Sequence, residues 1–362
     1  MKKQFCKVAG GILLISALVS CREKVPDPEM YELGVIVRNA GNYLDNNGSI
    51  SFFRREQSTA ENDLFFAQNG RSLTGSVQGY AEVGGSSLIL VDNSTAGQDK
   101  VEIVSRGNFK SVATLTAPDI ENPRFALEVT PTKAYVSCWG ATGDFSNFFP
   151  NPGYVAVIDL RTKTITKKIE VPRGAERMIR VGNDIYVGAI GGTENITIID
   201  GATDAIKRSV RIGPAPDPLA IDANGKLWLQ SDKSVARFNV QSGAVETTIR
   251  VGSHPVKTPS RFAISPDGRS FYFVYSFYDP ADGFKQKGET YRFSIDDTSI
   301  RTDTPVINRL FSGLGVDPLQ GLIYAGVTPT FKQQGYVVRY RPDGSVVDSI
   351  RVDISPSEFL FK

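Results

Sequence analysis

Residues 153–171 read GYVAVIDLRTKTITKKIEV: an apolar alternating run, a polar turn, then a second and more polar run. The pattern returns at 195–212 (NITIIDGATDAIKRSVRI), 234–251 (SVARFNVQSGAVETTIRV) and 335–352 (GYVVRYRPDGSVVDSIRV), with a shorter copy at 289–294 (ETYRFS). Two degenerate copies, GSISFF and KVEIVS, precede them. Anchored on the last apolar residue of the first run, the seven copies fall at Phe53, Val104, Ile158, Ile199, Phe238, Phe293 and Tyr340. The shortest spacings, 41 and 39 residues, fit a repeat of roughly 40–45 residues with four strands per unit. Between the copies lie FALEVTPTKAYVSC, RMIRVGNDIYVGA, LAIDANGKLWLQS, FAISPDGRSFYFV and LGVDPLQGLIYAG, each with a turn signal between two apolar runs, as in a hairpin. The strands are β-branched and aromatic with period two, and no segment carries a helical period over a useful length. The chain therefore reads as all-β, a seven-bladed β-propeller of four-stranded antiparallel blades.

The phase of the repeat says how the ring closes. With strands a to d numbered from the channel outward, 34–39 (GVIVRN) matches strand b with no strand a before it, and 357–362 (SEFLFK) matches strand a with nothing after it. The C-terminal strand is expected to pair with the N-terminal strands, completing one blade and leaving no open edge.

The N-terminus is read separately. Lys2, Lys3 and Lys7 precede an apolar run over 8–19 and the sequence Leu18-Val19-Ser20-Cys21. The run is shorter than the roughly 20 residues a membrane-spanning helix needs. It resembles a bacterial lipobox, which implies cleavage before Cys21 and lipid on its sulfur; an ordinary signal peptide with a chance cysteine is the alternative. The chain divides into a signal peptide (1–20), a flexible lipid-anchored tether (21–32) and one propeller domain (33–362).

Composition excludes several functions. Removing three lysines from 41 basic residues leaves 38 against 39 acidic ones, without a basic stripe, so nucleic acid is not an expected partner. Of three cysteines, Cys6 leaves with the leader and Cys21 takes lipid. Cys138 then has no disulfide partner and reads as a packed thiol. The single histidine, His254, excludes a multi-histidine metal site. No nucleophile elbow, P-loop, zinc-protease or haem motif is present, and Ser265-Pro266-Asp267-Gly268 reads as a turn before it reads as a calcium loop. No catalytic residue, metal or cofactor is assigned.

Candidate binding residues come from the irregularities of the repeat. In an up-and-down blade the b–c loops and d–a crossings share one face, and the long spacings of 54 (Val104 to Ile158) and 55 (Phe238 to Phe293) place insertions in b–c loops at 139–152 and 276–287. Shorter companions span 40–48, 93–99 and 328–334. Together they present Tyr43, then Trp139, Phe145, Phe148 and Phe149, then Phe277, Tyr278 and Phe284, and finally Phe331. Large rings on loops beside Gly, Asn and Asp suit a binding surface; the plainer reading tucks them under their own loops. The crossings add Arg173, Arg177 and His254, placed to meet an anionic or polar group over the channel mouth or simply to face solvent.

With AYVS, IYVG, FYFV, IYAG and FAISPDGRSFYFV, the chain resembles the YVTN-repeat, YncE-like seven-bladed propellers. Taken with the lipobox, it is similar to propeller lipoproteins of Gram-negative gut and oral bacteria that work beside TonB-dependent transporters, some of which capture cobalamin. The resemblance implies a monomeric, non-enzymatic outer-membrane lipoprotein, on the cell surface or the periplasmic face, that captures a corrinoid or other small nutrient for such a transporter. An outer-membrane scaffold for protein partners and a propeller enzyme (lyase, lactonase or quinoprotein-like dehydrogenase) stand as alternatives.

Overall fold

The structure is a computed structural model that describes residues 30–144 and 146–362. The signal peptide, Cys21 and Phe145 lie outside the described residues. Seven antiparallel sheets follow one another along the chain as blades of a β-propeller. Five carry all four strands; in blades 1 and 6 the outermost strand shrinks to a single bridge, Phe52 to Glu61 and Thr290 to Ile307. The sequence reading placed degeneracy in the first two copies, and the structure places it in blades 1 and 6. The KVEIVS copy, Lys100–Ser105, is the third strand of a complete sheet. The missing strands are replaced by long c–d connections over 54–60 and 295–306, which the sequence reading had taken to be short on this face.

Burial follows strand position. The second strands, such as Lys133–Cys138, Asp184–Ala189 and Ile323–Val327, are buried almost throughout, because neighbouring blades cover both their faces. The expected period-two alternation appears in the outer strands, as in Ser111–Thr116 and Ala244–Arg250, where one face meets water. The core is a set of wedges between adjacent blades. Leu88 and Leu90 of blade 2 meet Val136, Ala156 and Ile158 of blade 3, for example, and Val35 and Val37 of blade 1 meet Tyr324, Val337 and Ile350 of blade 7. Cys138 sits wholly inside the first of these wedges, and burial pushes its thiol up to about 12, so it stays protonated and inert at neutral pH.

Closure follows the expected pairing. Val35–Asn39 pairs antiparallel with Pro356–Phe361, with Val35 opposite Phe361, Val37 opposite Phe359 and Arg38 opposite Glu358. The Lys362 amide donates to the Gly34 carbonyl at 2.9 Å. Arg55 fastens the seam by donating from Nε to Asp317 at 2.6 Å and from Nη1 to the Lys362 carbonyl at 2.6 Å.

Three local features depart from the sequence reading. Tyr31 and Glu32, assigned to the tether, are docked: Tyr31 is fully buried against Phe52 and Phe109, and Glu32 pairs with Arg106 at 2.8 Å. A short helix, α1 (Leu64–Asn69), fills the crossing from blade 1 to blade 2 and buries Leu64 and Phe65. Asp63 caps it by accepting from the Phe66 amide, and Gly70 ends it in the left-handed region at φ 66°. The expected loop at 276–287 is largely strand: Ser270–Asp279 and Lys285–Ser294 run on together to the pair Asp279–Lys285, leaving a turn of only 280–284. The aromatic run Phe271 to Tyr278 favours extended backbone, and the Asp279 carboxylate, accepting from the Ala281 amide, starts the turn that Gly283 closes at φ 62°.

Candidate functional site

The site is built by a recurrent defect. In six of the seven innermost strands the ladder to the second strand slips, inserting Ser357, Gln78, Arg124, Glu176 with Arg177, Leu219, and Arg261 with Phe262. A bulge leaves its extra residues unpaired and re-aims their side chains. Here the strands concerned are those that ring the axis. Charges from blades that are not neighbours consequently act on one another: Arg261 of blade 6 is influenced by Arg38 and Glu358 of blade 1, by Arg177 of blade 4 and by Tyr278 of its own hairpin.

Most of these charges have partners. Arg38 Nε donates to Glu358 at 2.8 Å and its Nη1 to the Val77 carbonyl, also at 2.8 Å. Arg124 pairs with buried Asp92 at 2.8 Å, and Arg177 lies 3.7 Å from Asp217, whose carboxylate also accepts from the Arg177 amide. Desolvation raises the carboxyl of Asp92 to about 6 against the pull of Arg124. It also raises Glu176 to about 7, assisted by the charge of Asp217. The Asp217 carboxyl is raised by desolvation as well, with Arg177 opposing. Arg261 differs from the rest, because it makes no hydrogen bond or ion pair among the described residues. Its backbone is left-handed at φ 55°, a strained conformation for a side-chain-bearing residue. Although its side chain is solvent-exposed, the surrounding protein lowers its guanidinium to about 10, through desolvation first and then the charges of Arg38 and Arg177.

The predicted aromatics divide into two groups. Trp139 is held: Arg124 stacks over its ring at 3.3 Å, its indole N–H donates to Glu176 at 3.0 Å, and Phe148 and Phe149 meet it edge-on at 5.6 and 5.0 Å. Trp139 and Phe149 are tucked under the loop in this way, whereas Phe148 keeps 40% of its surface exposed. Tyr43, Tyr278, Phe284 and Phe331 instead stand 45%, 63%, 67% and 59% exposed on four turns and strand ends of the loop-bearing face. Phe277 turns to the rim, where its ring lies 5.9 Å from that of His254.

The three crossing residues do not assemble as one group. Arg177 reaches the axis. Arg173 is exposed beside 190–192, where its carbonyl accepts from the Gly191 amide. His254 uses Nδ1 to accept from the Lys257 amide at 3.2 Å, in a rim groove of about 440 Å³ shared with Tyr275 and Arg301. A second rim groove, about 500 Å³, runs between the outer strands of blades 2 and 3 and is lined by Thr114, Thr116, Thr164, Thr166, Lys167 and Lys168. Neither groove contains the axial charges.

Sequence reasoning missed Arg38, Arg124, Glu176, Asp217, Arg261 and Glu358. A usable signal was present: Pro123-Arg124 and Pro216-Asp217 each set a charge just after the proline that opens an inner strand, and Pro259-Ser260-Arg261 sets one two residues after a proline at the second position of another, where an apolar residue would otherwise be expected. Among the described residues no cluster of His, Cys, Asp and Glu could hold a metal ion. The chemistry on offer is contact by exposed rings together with charge recognition at the axis.

Fold and site define a seven-bladed propeller with charged residues on its inner strands and exposed rings on the loops of blades 1, 6 and 7. The chain belongs to the family described as Domain of unknown function (DUF5074), whose model matches residues 33–354. No curated protein matches the sequence. Among solved structures it is similar to a quinonprotein alcohol dehydrogenase-like protein from Bacteroides thetaiotaomicron (TM-score 0.60, 16% identity, covering 89% of this chain and 78% of that one). It is also similar to a candidate 6-phosphogluconolactonase from Bacteroides fragilis (TM-score 0.63, 14% identity, 93% and 100%). A third is a functionally unknown protein from Desulfotomaculum acetoxidans (TM-score 0.59, 11% identity, 91% and 98%). At these identities the likeness is one of fold.

Proposed function

We propose that this protein is a non-enzymatic, lipid-anchored capture protein of the outer membrane, holding a small nutrient such as a corrinoid on its loop-bearing face for a TonB-dependent transporter. The observation that carries the reading is the exposure of Tyr43, Tyr278, Phe284 and Phe331 on the loop-bearing face of three consecutive blades, 6, 7 and 1. Exposed rings supply contact area at low entropic cost, and the charged residues of the inner strands supply orientation. The lipobox at Cys21 supports the anchor, and the resemblance to cobalamin-capturing propellers supports the class of ligand.

The test is titration with cyanocobalamin, alongside a thermal-shift screen over haem, siderophores and oligosaccharides. Replacing Tyr43, Tyr278, Phe284 and Phe331 together by serine should abolish binding of whichever probe the wild type takes, with an unchanged far-UV spectrum. A wild type that binds none of these probes, or a quadruple variant that keeps its affinity, would sink the proposal.

A further inference from the structure

The chain enters the ring at a fixed point. Tyr31 is fully buried, its ring 5.2 Å from those of both Phe52 and Phe109. The next residue, Glu32, pairs with Arg106 at 2.8 Å and lines a groove of about 350 Å³ together with Gly84 and Gly85. Gly84 and Gly85 form the a–b turn of blade 2, and Arg106 and Phe109 belong to its c–d turn. Residues 30–34 therefore lie on the face of the a–b and c–d turns, opposite the loops that carry Tyr43, Tyr278, Phe284 and Phe331.

The same spot concentrates exposed apolar side chains. Met30 and Leu33, on either side of buried Tyr31, are 55% and 53% exposed, and Leu319, in the a–b turn of blade 7, is 76% exposed. A continuous run of hydrogen bonds joins the two sides of this group. The Lys362 amide donates to the Gly34 carbonyl at 2.9 Å, and Arg55 donates to the Lys362 carbonyl and to Asp317 at 2.6 Å each. The Leu319 amide donates to the same Asp317 carboxylate at 2.8 Å. Among the described residues no other turn of this face exposes a large apolar side chain. Exposed apolar residues scattered singly need no explanation, whereas a group at one spot marks a contact surface.

The length of chain before Met30 says what covers it. Between Cys21 and Met30 lie the eight residues 22–29, which in any conformation reach at most about 30 Å. On the lipid-anchor reading above, on which this inference rests, a bilayer surface stands within that distance of Met30. Apolar side chains held so close to an anchor add buried area to its grip on the lipid.

We propose that the face of the a–b and c–d turns is the membrane-facing side of the propeller, resting on the lipid surface through Met30, Leu33 and Leu319. The loop-bearing face, with its exposed rings, then points away from the bilayer.

The experiment is energy transfer from a dye on one introduced cysteine to a headgroup-labelled lipid, using the full-length lipidated protein in phosphatidylethanolamine and phosphatidylglycerol vesicles. Cys138 is fully buried and Cys21 is blocked by its lipid, so the dye goes to the introduced thiol. Leu319→Cys and Phe331→Cys flank the same strand, Ile323–Val327, on opposite faces. The strand separates them by about 17 Å, so transfer should be about twofold or more stronger from Leu319→Cys. Adding Met30→Ser and Leu33→Ser should lower the transfer from Leu319→Cys and leave Tm unchanged.

Equal or stronger transfer from Phe331→Cys, or a signal unmoved by Met30→Ser with Leu33→Ser, overturns the proposal. A mass spectrum without diacylglycerol on Cys21 removes the anchor and this proposal with it, whereas inverted transfer in a lipidated chain removes the orientation alone.

Discussion

Trp139 shows how a residue's type can be legible while its role is not. An aromatic on a long loop suits a ligand contact, but this one is clamped between the Arg124 guanidinium and the Glu176 carboxyl, so it organises the mouth. The clamp has a pH signature. Asp92, Glu176 and Asp217 all hold their protons more tightly in the fold than in the unfolded chain, Asp92 at about 6 against 3.8 and Glu176 at about 7 against 4.5. Groups raised in this way stabilise fully below their unfolded values, and their contribution is lost as pH rises through the folded ones. The stability of this cluster should therefore decline from about pH 4 to about pH 7. Glu176→Gln should flatten the upper part of that decline in a series of Tm measurements, and an unchanged slope would mean that Glu176 is ionised throughout.

A second single-residue expectation concerns Asp317, which is fully buried and accepts from Arg55 at the seam. Asp317→Ala leaves a mostly buried guanidinium without its carboxylate and should cost about 3–5 kcal/mol in urea denaturation. A loss below about 1 kcal/mol would show that the Lys362 carbonyl alone satisfies Arg55.

At the scale of elements, the hairpins and turns followed their sequence signals closely. Ser265-Pro266-Asp267-Gly268 is a turn, with Asp267 accepting from the Arg269 amide at 3.0 Å and Gly268 at φ 67°, where an added Cβ would lie 2.8 Å from the Ala223 amide nitrogen. The lapses occur where neighbouring elements decide. The segment 276–279 carries both strand and loop composition, and it became strand because Lys285 to Gly288 lay opposite to pair with it. The outer strands of blades 1 and 6 are reduced to single bridges at the edge position, where a strand is held from one side only.

The closing strand shows the opposite case, in which local phase sufficed. Removing Glu358 to Lys362 takes away four of the five residue pairs to Val35–Asn39, the Phe359 and Phe361 rings against Tyr324, and the acceptor of Arg55 Nη1. The truncated chain should melt well below the full-length protein by calorimetry, and an equal Tm would mean that the ring closes by other contacts.

Across the whole molecule, seven similar wedges share the burial, so stability depends on each blade finding its neighbours and on the ring being shut. The sequence by itself determined the repeat, the blade number, the strand order and the place where the two ends meet, because each follows from alternation, turn residues and phase within about 40 residues. It also determined what the chain lacks, a second histidine above all.

Only the tertiary structure decided what stands at the axis. Arg38, on the second strand of blade 1, and Arg124, Arg177, Arg261 and Glu358, on inner strands of blades 3, 4, 6 and 1, are spread over more than 300 residues of chain and come towards the axis only because the blades close into a ring. Periodicity reports which face of a strand is buried and carries no term for what lies across a ring, and the bulges that set the register there depend on the pairing of strands already in place.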